Sequence, residues 1–471
     1  MRAIVAAVHL QNVTEHELQA SINELRELAS TLGYVVVGKF VQKRDSFDST
    51  AYLGAGKRHE MREFVEHGTL LDTNSQEAQE IHELIRAPKS GAERAKQAAQ
   101  SQVDEDKRFA DIVLVDHEIS PSQARNLEIE VGCPVLDRTM VILEIFHRHA
   151  TSRAAKAQVE IARLGYLGPR LREAAKLAGP KGRQRSGVGG RGAGEAHGEL
   201  DRQKIRNRIA ELQLEITVMD KERKTQRSRR QEGHSLARVV LVGYTNAGKS
   251  TLMRALTGSD AYIANKLFAT LDTTVRALHP QSVPRVLVSD TVGFISNLPH
   301  DLVASFKSTL EEAAEASLLI HVVDANDTGF ERQIAVTNEV LREIGAEEVP
   351  RLRVFNKIDA AGDSISQTAH AAQLQIAYPD CVVMSALNPA DVSKLHDKIL
   401  GFFQKQMIET TILLPWSEQQ LRGEIFDVCK VIDEKADEKG AQLKLLGAPA
   451  MINLLTERFG VKRRKKTRQV N

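Results

Sequence analysis

The sequence feature that most constrains the fold is a glycine-rich run between an apolar stretch and a helix-forming stretch. Residues 243–250 read GYTNAGKS, follow RVVLV and precede TLMRAL, and so fit the pattern GxxxxGK[ST] between a strand and a helix. In that context the pattern is typical of a loop whose backbone N–H groups and helix N-terminus face phosphate groups. We therefore expect an α/β domain with a mostly parallel sheet around this loop.

The residue types in this loop suit phosphate binding. Gly243 and Gly248 allow the backbone to curl so that its N–H groups point at phosphates. Lys249 is expected to reach the β- and γ-phosphates, and Ser250 to offer its hydroxyl to Mg²⁺. Nucleotide contacts are predicted for the whole loop and the residue after it: Gly243, Tyr244, Thr245, Asn246, Ala247, Gly248, Lys249, Ser250 and Thr251.

A second motif distinguishes GTP from ATP. Asn356-Lys357-Ile358-Asp359 follows a predicted strand, where a base pocket should lie. The Asp359 carboxylate can accept from the ring N–H and the exocyclic amine of guanine, whereas adenine offers no such donor pair. Asn356 would tie neighbouring loops together, and the stem of Lys357 would pack on the base. Ser385-Ala386-Leu387 would place a backbone N–H against the guanine carbonyl, so GTP and GDP are the predicted ligands.

Two segments are candidates for the γ-phosphate and Mg²⁺ contacts. Asp290-Thr291-Val292-Gly293 begins at the last residue of the run VLVSD. Asp290 should hold a magnesium-bound water, and the Gly293 N–H should contact the γ-phosphate. Phe268-Ala269-Thr270-Leu271-Asp272 supplies a switch threonine, assigned to Thr270, with Thr273 and Thr274 as alternatives that the spacing leaves open. Mg²⁺ is thus the expected cofactor, held by Ser250, Thr270 and, through water, Asp290. The predicted catalytic groups are Lys249, Thr270 and Gly293.

Two positions raise questions about catalysis. The residue after the DxxG segment is Phe294, which cannot orient an attacking water as a glutamine can. Slow intrinsic hydrolysis, accelerated by a partner, is therefore expected. Asn246 could place its amide oxygen beside a K⁺ ion between the phosphates, or it could simply bond the switch loop.

Composition limits the remaining possibilities. The 471 residues are 42% hydrophobic and 27% charged, as in ordinary soluble proteins, and the net charge of +2 does not indicate nucleic-acid binding by the whole chain. Cys133, Cys381 and Cys429 lack the spacing of a zinc site and suggest reduced thiols. No apolar run is long enough to cross a bilayer. Together with the reduced thiols, this leads us to expect a cytoplasmic protein, and we also expect a monomer.

Pattern changes along the chain predict several α/β domains. Residues 1–150 alternate strands (Ala3–Val8, Tyr34–Phe40, Ile112–Asp116) with helices, although 70–107 could be a helical insertion or a loop. Residues 151–232 predict a long antiparallel helical hairpin around an exposed Gly/Arg loop at 179–198, or else two helices on different domains. The phosphate-binding domain is assigned to 233–403.

The end of the chain predicts a small α/β domain at 404–460 and a basic tail at 461–471. Within residues 404–460 we expect a strand at Thr411–Leu414, a helix at Glu418–Asp433, a strand at Gln442–Leu446 and a final helix. Strands of the 233–403 domain are predicted at Arg238–Val242, Val286–Asp290, Leu318–Asp324, Arg353–Phe355 and Cys381–Met384.

With these residues in view, the chain resembles the HflX family of translational GTPases. Residues 42–57 look like that family's N-terminal glycine motif, 120–171 are similar throughout, and RGAGEAHGELDR at 191–202 resembles its RGPGETxxExDRR loop. GYTNAGKST, FATLDTT and DTVGFI are similarly close. Ala193, Ala196 and Gln203 depart from the loop pattern, and 70–107 looks like an insertion.

This resemblance implies a GTPase that binds the large ribosomal subunit and its rRNA, and that splits stalled or idle ribosomes under stress. The hairpin would contact RNA through Arg183, Arg185 and Arg191 of its loop and through Arg202 just after it, consistent with the phosphate contacts that basic segments make. Two alternatives stay open. One is a checkpoint in large-subunit assembly. The other is an ATP-dependent RNA remodeller that uses Gly54-Ala55-Gly56-Lys57 in residues 1–150.

Overall fold

The computed structural model describes residues 1–68, 108–178, 193–231, 237–258, 267–268, 274–296 and 312–459. The chain divides into two compact units. The first unit comprises Met1–Thr217, Asn265–Ala269 and Asn297–Phe306, and the second comprises Val218–Ala264, Thr270–Ser296 and Lys307–Asn471. The proposed insertion at 70–107 and the basic tail at 461–471 lie outside the described residues. The finer division into five segments stays a prediction.

The first unit is built on a four-stranded parallel sheet with the order β2-β1-β3-β4. Capping boxes precede two of its helices: Thr14 and Glu17 cap Glu15–Thr31, and Ser120 and Gln123 cap Pro121–Val131. Its elements are β1 (Arg2–His9), α1 (Glu15–Thr31), β2 (Val35–Lys43), α2 (Ala55–His67), β3 (Ile112–Val115), α3 (Pro121–Val131), β4 (Val135–Asp137) and α4 (Arg138–His149). The three strands predicted in this region are all present.

Two long helices, α5 (Arg153–Ala178) and α6 (Ala193–Gln231), follow the sheet. Within the first unit, Arg153 pairs with Glu215 at 3.2 Å and Glu160 with Arg208 at 3.0 Å. As the residue number rises along α5 from Arg153 to Glu160, the number of its partner on α6 falls from Glu215 to Arg208. The two helices are therefore antiparallel, which confirms the predicted hairpin.

The predicted boundary of the hairpin loop is wrong at one end, because residues 193–198 are helical rather than part of an exposed loop. This stretch reads AGEAHG, and alanine and glutamate favour helix. Each interior glycine costs about 1 kcal/mol relative to alanine, which the continuation of a long helix can offset.

The second unit holds a six-stranded sheet with the order β10-β9-β8-β5-β7-β6, in which only the β6–β7 pair is antiparallel. Buried apolar runs form the central strands, so side chains from both faces enter the core. All five strands predicted here are present. Its elements are β5 (Ala237–Gly243), α7 (Lys249–Thr257), β6 (Thr274–Ala277), β7 (Val286–Asp290), β8 (Leu318–Asp324), α8 (Phe330–Glu343), β9 (Arg351–Asn356), α9 (Ser364–Ala377), β10 (Val382–Val383) and α10 (Pro389–Gln404).

The last part of the second unit is an antiparallel sheet with the order β11-β13-β12. The predicted helix at Glu418–Asp433 is wrong in its second half. A 3₁₀ turn and a short helix end at Val428, and the following residues form a strand paired with β13. Cross-strand pairing here overrides the helical preference of the local sequence. The elements are β11 (Ile408–Pro415), α11 (Arg422–Val428), β12 (Lys430–Asp437), β13 (Gly440–Gly447) and α12 (Pro449–Phe459).

Within the described ranges, none of the helices combines the length and apolar character needed to span a membrane.

Candidate nucleotide site

The turn between β5 and α7 needs glycine at two points. Gly243 has φ of +141°, and a Cβ there would lie 2.2 Å from the carbonyl oxygen of Val322. Gly248 has φ of +93°, and its Cβ would lie 2.2 Å from Nδ2 of Asn356. Asn246 is exposed and also left-handed, with φ of +59°. This backbone curls around the start of α7 in a way that other side chains would block.

The ammonium of Lys249 lies inside this turn. Its Nζ donates to the carbonyl oxygens of Gly243, at 3.0 Å, and Tyr244, at 2.8 Å. Burial lowers the pKa of Lys249 to about 8, although the charge of Asp290 opposes the shift. The result is a buried cation on the first turn of a helix, where the helix dipole also favours an anion.

Two oxygen-bearing side chains meet beside this lysine. The Ser250 hydroxyl, on the first turn of α7, donates to Oδ2 of Asp290, at the end of β7, at 2.8 Å. Thr291 turns the other way, since its hydroxyl donates to the carbonyl oxygen of Leu241 at 2.7 Å. A hydroxyl and a carboxylate are hard oxygen ligands of the kind that Mg²⁺ prefers, so this pair fits the expected cofactor.

The turn after β7 packs directly on the glycine loop. A Cβ at Gly293 would lie 2.8 Å from Cγ2 of Thr245 and 2.9 Å from Nζ of Lys249. The Thr245 N–H donates to the carbonyl oxygen of Phe294 at 2.7 Å, and the Phe294 N–H donates to that of Gly243 at 3.1 Å. The ring of Phe294 is buried, with 2% of its surface exposed, so it belongs to the core.

Asn356 joins three of the predicted segments. Its Nδ2 donates to the carbonyl oxygen of Ala247 at 3.0 Å, and its Oδ1 accepts from the N–H of Ala386 at 2.9 Å. Asn356 is almost completely buried at the end of β9. The glycine loop, the NKxD segment and the Ser385-Ala386-Leu387 segment are therefore held together by one amide side chain.

The base side of the site is more open. Lys357 has φ of +63°, and its Nζ lies 2.9 Å from Oδ2 of Asp324. Asp359 is exposed in the 3₁₀ turn Ile358–Ala361, and Leu387 is also exposed. Sequence reasoning did not single out Asp324, although it ends a strand adjacent to β9, and polar residues at carboxyl ends of neighbouring parallel strands meet.

The remaining predicted residues have other contacts or lie outside the described ranges. Phe268 belongs to the first unit, where its ring meets that of Phe146 at 4.6 Å and its carbonyl oxygen accepts from Nδ1 of His149 at 2.8 Å. Thr274 begins β6 opposite Asp290, while Arg202 is exposed on α6. The following predicted residues lie outside the described ranges: Ala269, Thr270, Leu271, Asp272, Thr273, Arg183, Arg185 and Arg191.

Comparison with known families agrees with this architecture. Residues 238–357 match the family described as 50S ribosome-binding GTPase. Residues 149–230 match the GTP-binding GTPase Middle Region, and residues 19–80 and 70–147 match the GTP-binding GTPase N-terminal family. The fold, the phosphate-binding loop and these matches define a P-loop GTPase, an enzyme that hydrolyses GTP.

Individual relatives make the assignment specific. A GTPase HflX of Gluconacetobacter diazotrophicus is 48% identical over 96% of this chain and 96% of its own length. Another, from Caldanaerobacter subterraneus subsp. tengcongensis, is 38% identical over 94% of this chain and 90% of its own. The chain belongs to the GTPase HflX family. A solved GTP-binding protein of Sulfolobus solfataricus in complex with GDP is 23% identical, with a TM-score of 0.40, over 85% of this chain and 98% of that one.

Proposed function

We propose that this GTPase binds GTP and GDP through the glycine loop and the base segments joined by Asn356. Lys249 would contact the β- and γ-phosphates, and the Asp359 carboxylate would accept from the guanine ring N–H and amine. The contacts of Asn356 with Ala247 and Ala386 support this assignment, because they hold the phosphate and base segments in one arrangement. The exposed position of Asp359 leaves its carboxylate accessible to a base.

Mg²⁺ would be held by Ser250, by Thr270 and, through water, by Asp290. When bound, the ion would neutralise charge on the phosphate oxygens. The 2.8 Å contact between Ser250 and Asp290 supports two of these three ligands. A K⁺ ion beside Asn246 is a further element of the proposal, and equal hydrolysis rates in KCl and NaCl would remove it.

The GTPase would act on the large ribosomal subunit and split stalled or idle ribosomes in the cytoplasm. The observation that carries this proposal is the similarity to GTPase HflX over 96% of the chain. It includes the N-terminal and hairpin regions as well as the nucleotide site. The match of residues 238–357 to the family described as 50S ribosome-binding GTPase supports the large subunit as the partner. Arg183, Arg185, Arg191 and Arg202 of the hairpin are the proposed rRNA contacts, since arginine binds phosphates strongly.

In the proposed cycle, GTP orders Thr270 and the DxxG turn, and this state favours docking of the first unit on the large subunit. Docking competes with subunit joining, and hydrolysis releases the switch contacts and lowers affinity. Phe294 supplies no water-orienting side chain, and its ring is in the core. Intrinsic hydrolysis should therefore be slow, and the ribosome should accelerate it.

The test is GTP turnover by the isolated protein with and without large subunits, with light scattering to follow subunit dissociation in the same reaction. Strong stimulation with GTP-dependent splitting supports the proposal. Stimulation without splitting favours the assembly checkpoint, and a lack of stimulation removes the ribosome as partner.

Co-sedimentation separates the role of the hairpin loop from that of the nucleotide site. Replacing Arg183, Arg185 and Arg191 together with alanine should weaken binding to large subunits and leave GTP affinity unchanged. Unchanged co-sedimentation would remove the loop from the mechanism.

A further inference from the structure

A buried tyrosine ties the glycine loop to the turn that follows β7. The Ser296 N–H donates to the hydroxyl oxygen of Tyr244 at 2.6 Å, and the two hydroxyl oxygens lie 2.7 Å apart. Tyr244 and Ser296 are 7% and 8% exposed. We call this pair the Tyr244–Ser296 clamp.

The clamp continues a short backbone ladder. Tyr244 and Phe294 form a parallel bridge, with hydrogen bonds on either side from Phe294 to Gly243 and from Thr245 to Phe294. Gly293 stands just before this ladder, so close to the loop that a Cβ would lie 2.9 Å from Nζ of Lys249. The position of the Gly293 backbone is therefore set by what holds residues 294–296.

The clamp also offers a source of positioning in place of the glutamine that is absent at position 294. A side chain buried in the core cannot position a reacting group, so precision at this point has to come from the backbone. Buried hydrogen bonds fix a backbone segment effectively, because breaking one leaves a donor or acceptor without a partner.

We propose that Tyr244 and Ser296 are positioning residues for GTP hydrolysis. By holding the DxxG turn on the glycine loop, they place the Gly293 N–H at the γ-phosphate in the transition state. The proposal rests on the nucleotide assignment above and adds a role for two hydroxyl groups to it. Because the clamp lies on the γ-phosphate side, it should affect hydrolysis far more than the affinity for GDP.

The experiment uses the full chain and compares wild type with Tyr244→Phe, Ser296→Ala and the double variant. Single-turnover hydrolysis at saturating GTP should fall on the order of tenfold in Tyr244→Phe, which removes both hydrogen bonds of the clamp. It should fall by a smaller factor in Ser296→Ala, which keeps the bond donated by the Ser296 N–H, and the double variant should be no slower than Tyr244→Phe. Affinity for fluorescent GDP should stay within about twofold, while affinity for GDP with aluminium fluoride should fall with the rate. Ser296→Thr, which keeps the hydroxyl, should restore much of the rate.

Tyr52 offers a matched control in the first unit. Its buried hydroxyl likewise has one backbone and one side-chain partner, the N–H of Val8 at 3.0 Å and Nδ1 of His117 at 2.8 Å. Tyr52→Phe should leave hydrolysis unchanged. Thermal unfolding of every variant shows which ones are folded, and Ser296→Ala provides the smaller perturbation if Tyr244→Phe does not fold.

Two results would overturn the proposed role of the clamp in hydrolysis. One is an unchanged hydrolysis rate in a folded Tyr244→Phe or Ser296→Ala variant. The other is a parallel fall in rate and GDP affinity, which would mean a general disturbance of the site. Failure of the nucleotide assignment would look different, since wild type and Lys249→Ala would then hydrolyse GTP equally.

Discussion

Two glycine–lysine runs in this protein each begin a helix after a parallel strand, and their backbones differ. Gly54 precedes α2 with an ordinary φ of −67°, and its N–H donates to Oε1 of Gln42 at 2.8 Å. Gly248 precedes α7 with φ of +93°, after the left-handed Asn246. Of these two runs, only the second contains left-handed residues, which allow successive N–H groups to point at one anion.

The lysines of the two runs also have different surroundings. Nζ of Lys57 lies 2.7 Å from Oε2 of Glu60 at the partly exposed start of α2. Nζ of Lys249 is buried among carbonyl oxygens. A carboxylate partner neutralises a lysine that would otherwise attract phosphate, whereas carbonyl oxygens leave its charge available. A helix start with glycine and lysine is therefore not enough for a phosphate site, and the left-handed backbone and the lysine's neighbours matter more.

The largest effect that tests this comparison is expected when each lysine is replaced in turn. Lys249→Ala should lower the GTP hydrolysis rate by at least about 100-fold, because a preorganised cation at the phosphates is lost. Lys57→Ala should leave the rate within about twofold, since its partner is a carboxylate of its own helix. Single-turnover kinetics at saturating GTP would measure both.

The same pair of variants addresses the remodeller alternative. ATP hydrolysis that survives Lys249→Ala and disappears in Lys57→Ala would show that the first run is also a nucleotide site. That outcome would contradict the structural distinction drawn between the two loops.

Much of the fold was predictable, because its signals are local. Apolar runs such as VLVSD and LLIHVVD can be read directly as buried parallel strands, and β7 and β8 begin and end where predicted. The helical hairpin followed from two long periodic stretches around a Gly/Arg segment. One motif between a strand and a helix was enough to predict the phosphate-binding loop at residues 243–250.

What the sequence could not predict depends on contacts between distant segments. The strand β12 is rich in glutamate, lysine and aspartate, and only its pairing with β13 makes it a strand. The Tyr244–Ser296 contact joins residues 52 positions apart, and neither residue type signals it. The pairing of Asp324 with Lys357 likewise depends on the order of strands in the sheet.

A second test changes the glycines instead of the lysines. Gly248→Ala should lower the free energy of unfolding by about 4 kcal/mol, because it combines a strained φ with a clash that breaks the two buried hydrogen bonds of Asn356. Gly54→Ala should cost under about 1 kcal/mol, since its φ is allowed and the nearest atom, at 3.0 Å, ends the flexible Gln42 side chain. Urea denaturation would compare them, and equal losses would contradict the contrast in backbone conformation.

A third test uses the pH dependence of stability. Burial lowers the pKa of Lys249 from 10.5 to about 8, so between these values the unfolded chain binds more protons than the folded one. The free energy of unfolding should therefore rise with pH through this window, and below pH 8 the buried charge should cost up to about 3 kcal/mol. Nucleotide-free Lys249→Met should be more stable than wild type at pH 7, by a margin that shrinks towards pH 10. A margin that does not change with pH would show that the lysine is not buried as a cation.

The smallest expected effect belongs to the first run. Lys57 and Glu60 are three positions apart on α2 and partly exposed, so a double-mutant cycle with alanine should give a coupling free energy below about 0.5 kcal/mol. Such a value means that the pair costs little to separate, and that the difference between the loops lies in the backbone around Gly54 and Gly248 and in the buried carbonyl oxygens around Lys249. A coupling above about 1 kcal/mol would instead mean that Glu60 actively holds Lys57 away from anions. In that case Glu60→Gln should give the first run a measurable affinity for inorganic phosphate, and the contrast with the second run would depend on one carboxylate.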